Sequence, residues 1–271
     1  MSSVSILLPT FNGSATIRRA IQCCQEQTHP DWHLVVVDNN STDNTVEIVE
    51  SIIQTDARIR LVKNSTNIGS LKNYRHATEF IDTDFFSFFA DDDYIERNFL
   101  EVTLEGFRLF PKALMVCGRT RIENLETGVV HLQNVAWKSG YYEAGSEYQK
   151  TFNDHFTWTG ILYRSQVISV CGKPGKGFDS EYFARVASAG DFLILEDQTA
   201  IWRIKGGGMT DSLDLTFRVT TLFSRCVRPL TYNISMNDKL WTLGLLLLQV
   251  MCWLSKKLRA VGSNGRFGIR R

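Results

Sequence analysis

Residues 4–12 read Val4-Ser5-Ile6-Leu7-Leu8-Pro9-Thr10-Phe11-Asn12, and residues 34–45 read Leu34-Val35-Val36-Val37-Asp38-Asn39-Asn40-Ser41-Thr42-Asp43-Asn44-Thr45. Each is an apolar run without polar alternation that breaks abruptly into small polar residues. A run of that kind suits a strand buried on both faces, and Pro9 closes the first one. Between them Ser14 stands where it would cap a helix whose Ile17, Ala20, Ile21 and Cys24 share one face. After the second run, residues 40–43 offer cap residues for a helix presenting Val46, Val49 and Ile53. Working outward, 59–62 reads as a third strand, 71–80 as a helix and 85–90 as a fourth strand. Strands that alternate with helices and lack a polar face predict an α/β protein with a mostly parallel sheet flanked by helices.

Farther along, 94–100 and 100–110 read as helical and 114–117 as a strand. Residues 180–189 read as a helix ended by Gly190, and 192–195 and 199–204 as two separate strands. The stretch 119–160 is rich in Gly, Thr, Tyr and Trp and suits loops and antiparallel strands. The 271 residues are 44% hydrophobic and 22% charged, which excludes disordered, collagen-like and disulfide-scaffold classes. Six cysteines without a CxxC pair read as free thiols in a reducing compartment, and the short apolar run after Met1 does not read as a secretory leader.

In a parallel sheet, ligands bind beyond the carboxyl ends of the strands. Three strands here end in polar segments that this rule gathers on one edge: Pro9-Thr10-Phe11-Asn12, Asp38-Asn39-Asn40-Ser41 and Asp91-Asp92-Asp93. Three adjacent carboxylates are costly unless a positive group sits among them. One reading is a hard cation such as Mg²⁺ shared with substrate phosphates; the other is the start of a helix, where Asp suits the dipole. Asp38 on the same edge favours the ligand. No GxGxxG or GxxxxGK[ST] occurs, so phosphates would be met by metal and by side chains such as Lys72.

Residues 4–12 and 35–45, with Gln27-Thr28-His29-Pro30 between them, resemble the opening of glycosyltransferase family 2. Asn67-Ile68-Gly69 and Phe88-Phe89-Ala90-Asp91-Asp92-Asp93 follow in the family's order. So do Gly160-Ile161-Leu162-Tyr163-Arg164, Phe178-Asp179-Ser180-Glu181 and Trp202-Arg203-Ile204-Lys205, which extends the likeness over about residues 4–210. The resemblance implies a GT-A fold and a metal-dependent, inverting sugar transfer from a nucleotide-sugar, most often a UDP-sugar. It places Asp38 on the base, with Pro9, Thr10 and Asn12 beside it, and Asp91 at the ribose or diphosphate. Asp92 and Asp93 become the Mn²⁺ or Mg²⁺ ligands, and Asp179 the catalytic base, with Arg185 one helical face onward. Glu196-Asp197 is a competing acidic pair that the spacing disfavours. Ala90 stands where many members carry the first acid of the metal motif, Phe178 where Glu is common, and Lys205 where His is common.

Trp137, Tyr141, Tyr142, His155 and Trp158 are candidates to face an acceptor sugar, with His155 and Trp158 foremost; the alternative for each is a place in the core. The net charge of +1 divides into −6 over residues 1–238 and +7 over 239–271. An acidic body makes a nucleic-acid partner improbable. Residues 240–254 are apolar almost throughout, and as a helix span ~22 Å, short of the ~30 Å hydrocarbon core. Trp241, Trp253, Lys256 and Lys257 suit a helix lying in the surface of an anionic membrane, against the alternative of burial on the body or on a second subunit. The expected organisation is a catalytic domain over 1–225, with a nucleotide-sugar half (1–100) and an acceptor half (101–225), followed by a helical extension over 226–271. The expected protein is cytoplasmic, peripheral on the inner face of the plasma membrane, and builds surface polysaccharide on a glycan acceptor linked to lipid. A catalytically inactive nucleotide-sugar-binding component of an assembly complex is the alternative.

Overall fold

A computed structural model describes residues 3–175, 178–204, 234–247 and 251. Lys205, Gly206-Gly207-Gly208, Trp253, Lys256 and Lys257 lie outside the described residues. The first half alternates as expected: β1 (Val4–Thr10), α1 (Ile17–Gln25), β2 (Trp32–Asp38), α2 (Thr45–Ile53), β3 (Ile59–Lys63), α3 (Ser70–Ala77) and β4 (Phe85–Phe88). The second half adds β5 (Tyr94–Ile95), α4 (Phe99–Leu109), β6 (Met115–Asn124), β7 (Val130–Leu132), β8 (Gly140–Tyr142) and α5 (Tyr148–Asn153). It ends with β9 (Ile161–Arg164), α6 (Gln166–Cys171), α7 (Phe178–Ala189) and β10 (Phe192–Ile204). One sheet runs β3-β2-β1-β4-β9-β6-β10-β5, with β7 and β8 attached at β6 and β10.

β1 through β4 run parallel to one another, and β6 is parallel to β10; β9, β5, β7 and β8 pair antiparallel with their neighbours. The sheet has a core on each face, which is why β1 shows no polar alternation. Val4, Ile6 and Leu8 pack toward α1 and α4, while Leu7 packs with Val35, Val37, Phe86 and Phe88 under α3 and α7. Successive side chains of a strand point to opposite faces, so two buried faces demand apolar residues at both parities.

Three local readings are corrected. Ser14 is not the cap of α1; Thr16 holds that position, and the Ser14 amide donates to Asp43 Oδ2 at 3.0 Å. Residues 94–95 are a strand on β10 and the next helix starts at Phe99, so the Asp run is not a helix start. Residues 192–204 are one strand whose pairing with β6 shifts register around Gln198, and Glu196-Asp197 occupy that exposed irregularity. Residues 236–247 are helical, and of the apolar residues around this helix Met236, Leu240, Leu243 and Leu247 are exposed, at spacings of four, three and four that form one stripe. No helix among the described residues is long and apolar enough to cross a membrane.

Candidate active site

The polar ends of β1, β2 and β4 meet at one edge of the sheet. Thr10 and Asp38 are register partners, and the Thr10 hydroxyl donates to Asp91 Oδ2. Asp38 is buried and accepts from the Ser41 amide at 3.0 Å and from the Ser41 hydroxyl. Asn12, in the left-handed region at φ 52°, knits the two loops together. Its amide donates to Ser41 Oγ at 2.8 Å, and its Oδ1 accepts from the Thr42 amide at 2.9 Å. Asn is among the few residues that take this conformation cheaply, so a loop that must turn back on itself after Pro9 finds a suitable residue there.

A neighbouring asparagine network forms the side of this floor. Asn39 Oδ1 accepts from Asn64 Nδ2 at 3.1 Å and from the Ile68 amide at 2.9 Å, and Asn39 Nδ2 donates to Asn67 Oδ1 at 2.9 Å. Asn64 also donates to Asn73 Oδ1 at 2.8 Å, and Asn73 returns to the Val37 carbonyl at 2.8 Å. Of these only Asn39 and Asn67 stood in motifs visible in the sequence. Isolated Asn residues at 64 and 73 carry no local signal, because their partners come from three different elements.

The three aspartates occupy unlike surroundings. Asp92 is exposed, and its backbone carbonyl accepts from Arg19 at 3.0 Å. Burial pushes the Asp91 carboxyl up to about 6, with the Thr10 hydrogen bond opposing and the Asp92 charge adding to the rise. Burial also pushes Asp93 up to about 8, reinforced by Asp92. Asp93 accepts from Thr159 Oγ1 at 2.7 Å through Oδ2, while its buried Oδ1 has no partner among the described residues. Beside them Tyr94 lies between two guanidinium groups, Arg19 and Arg203, each 4.0 Å from its ring centroid.

Asp179 sits in the first turn of α7, one third exposed, with His155 Nε2 3.8 Å from its Oδ1. Its Oδ1 also accepts from the Ser180 amide at 2.8 Å. Tyr74 of α3 marks how close the two halves come. Burial raises its phenol well above the usual range, and the charges of Asp91, Asp92, Asp93 and Asp179 add to that shift. The ring lies 4.3 Å from Trp158, which packs in turn against Phe88 and Phe178. Trp158 is only 7% exposed, so its ring is chiefly a wall of the site, and its indole N–H is unpartnered among the described residues. Trp137 is buried in the core below α7. Tyr74 was not singled out from the sequence, since a tyrosine within a helix reads as packing.

Arg185 does not face the aspartates. It donates to the Cys171 carbonyl at 2.8 Å and the Lys173 carbonyl at 3.1 Å and pairs with buried Glu181 at 3.2 Å, fastening the segment before α7 to that helix. Lys72 is exposed on α3 and lines a cavity with Lys63, Arg75 and His76. Glu196 is exposed and paired with Arg119 at 3.0 Å, away from α7.

The profile of glycosyl transferase family 2 matches residues 5–172. The chain belongs to glycosyl transferase family 2. It is 32% identical over 102 residues to the Escherichia coli UDP-Glc:alpha-D-GlcNAc-diphosphoundecaprenol beta-1,3-glucosyltransferase WfgD, covering 37% of this chain and 39% of that one. The chain spans from 30% to 56% of the length of the first curated relatives it matches. Its fold is that of the Staphylococcus aureus TarS 1–349 structure with UDP-GlcNAc, at TM-score 0.72 and 18% identity over 88% of this chain and 69% of that one. It also matches the Pyrobaculum calidifontis mannosyltransferase PcManGT in complex with GDP-Man and Mn²⁺, at TM-score 0.63 and 14% identity over 97% and 80% of the two chains. The GT-A architecture expected from the resemblance is therefore present.

Proposed function

We propose that this family 2 enzyme moves a sugar, with inversion, from a UDP-sugar to a hydroxyl of a lipid-linked glycan during surface polysaccharide synthesis. The observation that carries the reading is the meeting of a base-binding edge, a run of aspartates and a lone carboxylate at a helix start around Tyr74. Asp38, with Pro9, Thr10 and Asn12 around it, takes the nucleobase; Asp91, steadied by Thr10, takes the ribose or diphosphate. Asp179 accepts the acceptor hydroxyl's proton as that oxygen bonds to the anomeric carbon and the bond to the diphosphate breaks. His155, 3.8 Å away, holds a positive or hydrogen-bonding group beside that carboxylate.

The residues present fit a divalent ion. Asp92 offers one exposed carboxylate, and the buried Asp93 Oδ1 beside it has no hydrogen-bond donor among the described residues. Mg²⁺ and Mn²⁺ are commonly held by one or two carboxylates with substrate phosphates completing the shell. Bound there, the ion would offset charge on the departing diphosphate. PcManGT, a protein of the same fold, is solved with Mn²⁺, which supports this part. WfgD, named for a diphosphoundecaprenol acceptor, supports the lipid linkage.

Residues 1–225 form the catalytic unit in this reading, and 226–271 a helical extension that lies on the inner membrane face. The exposed stripe Met236, Leu240, Leu243 and Leu247 and the basic residues after it support that placement. A chain truncated at residue 230 should lose binding to anionic vesicles; unchanged sedimentation with them would reject the anchor.

Turnover tests the chemistry. Asp179→Asn keeps size and hydrogen-bonding capacity but cannot take the proton, so turnover should fall by roughly 10²–10⁴ with UDP affinity intact. Turnover within threefold of the parent would remove Asp179 from this role.

A further inference from the structure

The outward face of α3 carries a cavity that adjoins the asparagine network beside Asp38, with Asn64 and Ile68 in its lining. Lys63, Lys72, Arg75, His76, Glu79 and Lys173 line its ≈640 Å³, a volume in the ordinary range for small-molecule sites. Four Lys/Arg face one Glu there, in a body whose net charge over residues 1–238 is −6. The carboxylate is already engaged: Lys173 Nζ lies 2.8 Å from Glu79 Oε1, and His76 Nε2 lies 4.0 Å from Oε2. Lys63 pairs with Glu50 at 3.0 Å, outside the lining. Lys72 and Arg75 are exposed and make no ion pair among the described residues. Two uncompensated cations side by side repel one another and are relieved by an anion with more than one charge.

Position narrows the anion. One wall comes from the donor half, the end of β3 and α3. His76 Nδ1 meets Asn64 Oδ1 at 2.9 Å, so this wall is joined to the asparagine network beside Asp38. The opposite wall is Lys173, whose carbonyl Arg185 grips from α7, the helix that opens with Asp179. The same α3 turns Tyr74 inward to Trp158. A ligand in this cavity therefore touches both halves, and neither Asp38 nor Asp91 is among the residues that line it.

We infer that the cavity is a second anion subsite that takes the diphosphate of the acceptor's carrier, so that Lys72 and Arg75 hold the acceptor while Asp38 and Asp91 hold the donor. The inference rests on the lipid-linked acceptor of the preceding section. Its chemistry, a diphosphate ester, is shared by soluble pyrophosphate and by a polyprenyl diphosphate in a membrane, and the two are separated by experiment.

The full chain, saturated with UDP and Mg²⁺ to fill the donor edge, is titrated with inorganic pyrophosphate by calorimetry. One site should appear, and Arg75→Glu or Arg75→Ala should weaken it roughly tenfold or more. Arg75 is exposed on α3, and an unchanged melting temperature confirms that the variants fold. UDP affinity should stay the same. In a second arm, phosphatidylcholine vesicles doped with polyprenyl diphosphate should retain the parent better than vesicles matched in charge with phosphatidylglycerol, and the variants should lose that difference. No pyrophosphate binding to the UDP-saturated protein, or binding that the variants leave intact, overturns the subsite. An equal loss of UDP affinity assigns the cavity to the donor and overturns it as well. Pyrophosphate binding without any preference for the diphosphate lipid overturns the carrier assignment. If UDP itself fails to bind the parent, the glycosyltransferase reading fails first, and that outcome is visible before pyrophosphate is added.

Discussion

Gly13 lies where any side chain would strike the Asp91 carboxylate and the Thr10 hydroxyl. A Cβ built on it falls 2.2 Å from Asp91 Oδ2 and 2.5 Å from Thr10 Oγ1. Ordinary contact requires about 3.5 Å, so in Gly13→Ala the Asp91 carboxylate must retreat by roughly 1 Å. The obstacle is the end of a side chain, so the backbone need not move, and Thr16 and Ile17 can keep their amide bonds to the Gly13 carbonyl at 2.9 and 2.8 Å. Stability should therefore drop by no more than about 1–2 kcal/mol. The functional cost is larger. The retreat separates Asp91 from Thr10, and a displacement of ~1 Å in a positioned group costs on the order of 10² in rate. The assay is UDP release from a panel of UDP-sugars with and without Mn²⁺, beside calorimetric UDP affinity and a thermal melt. Turnover and UDP affinity within threefold of the parent, in a protein that melts normally, would refute the placement of Asp91 in the donor floor. A collapsed melting temperature would refute the claim that only a side chain gives way.

Gly160 is constrained differently, by backbone and by space. Its φ is +91°, and an added Cβ would lie 2.6 Å from Ala200 Cβ on buried β10. Gly160→Ala should cost about 3 kcal/mol from left-handed strain and overpacking together, seen as a melting temperature lower by roughly 6–12 °C; a shift under 2 °C would contradict the packing of the residue before β9 against Ala200 of β10. Asp43 gives a pH prediction. Partial burial would raise its carboxyl, but hydrogen bonds from Thr45 and Ser14 outweigh that and hold it at about 2. A folded value below the unfolded ~3.9 stabilises above that pH and is lost as pH falls toward 2. The melting-temperature gap between the parent and Asp43→Asn should then be constant from pH 7 to 5 and shrink between pH 4 and 2; a gap that widens on acidification would reverse the sign.

The parallel half of the fold was legible because its physics is local. Val4, Ile6, Leu7 and Leu8 are apolar at both parities since both faces of β1 are covered, and the polar break after each run marks the carboxyl edge where ligands collect. Pro9, Thr10, Asn12, Asp38 and the Asp91-Asp92-Asp93 run were visible from order alone, and the structure gathers them on that edge. What the chain order could not supply was anything settled by distance between elements. The different burial of Asp91, Asp92 and Asp93, consecutive in sequence, depends on Thr10 from β1 and Thr159 from the segment before β9. Glu196 and Asp197 looked like a break between strands because an exposed bulge and a loop have the same composition. Arg185 looked like a site residue until its acceptors were found on the segment before its own helix. The cationic cavity is of the same kind: Lys72, Arg75 and Lys173 are ordinary surface residues in the sequence, and only the crossing of α3 with the segment after α6 sets their charges around one space. Burial and periodicity act between near neighbours and are written along the chain, whereas electrostatic character depends on what the fold brings within a few ångströms from elsewhere.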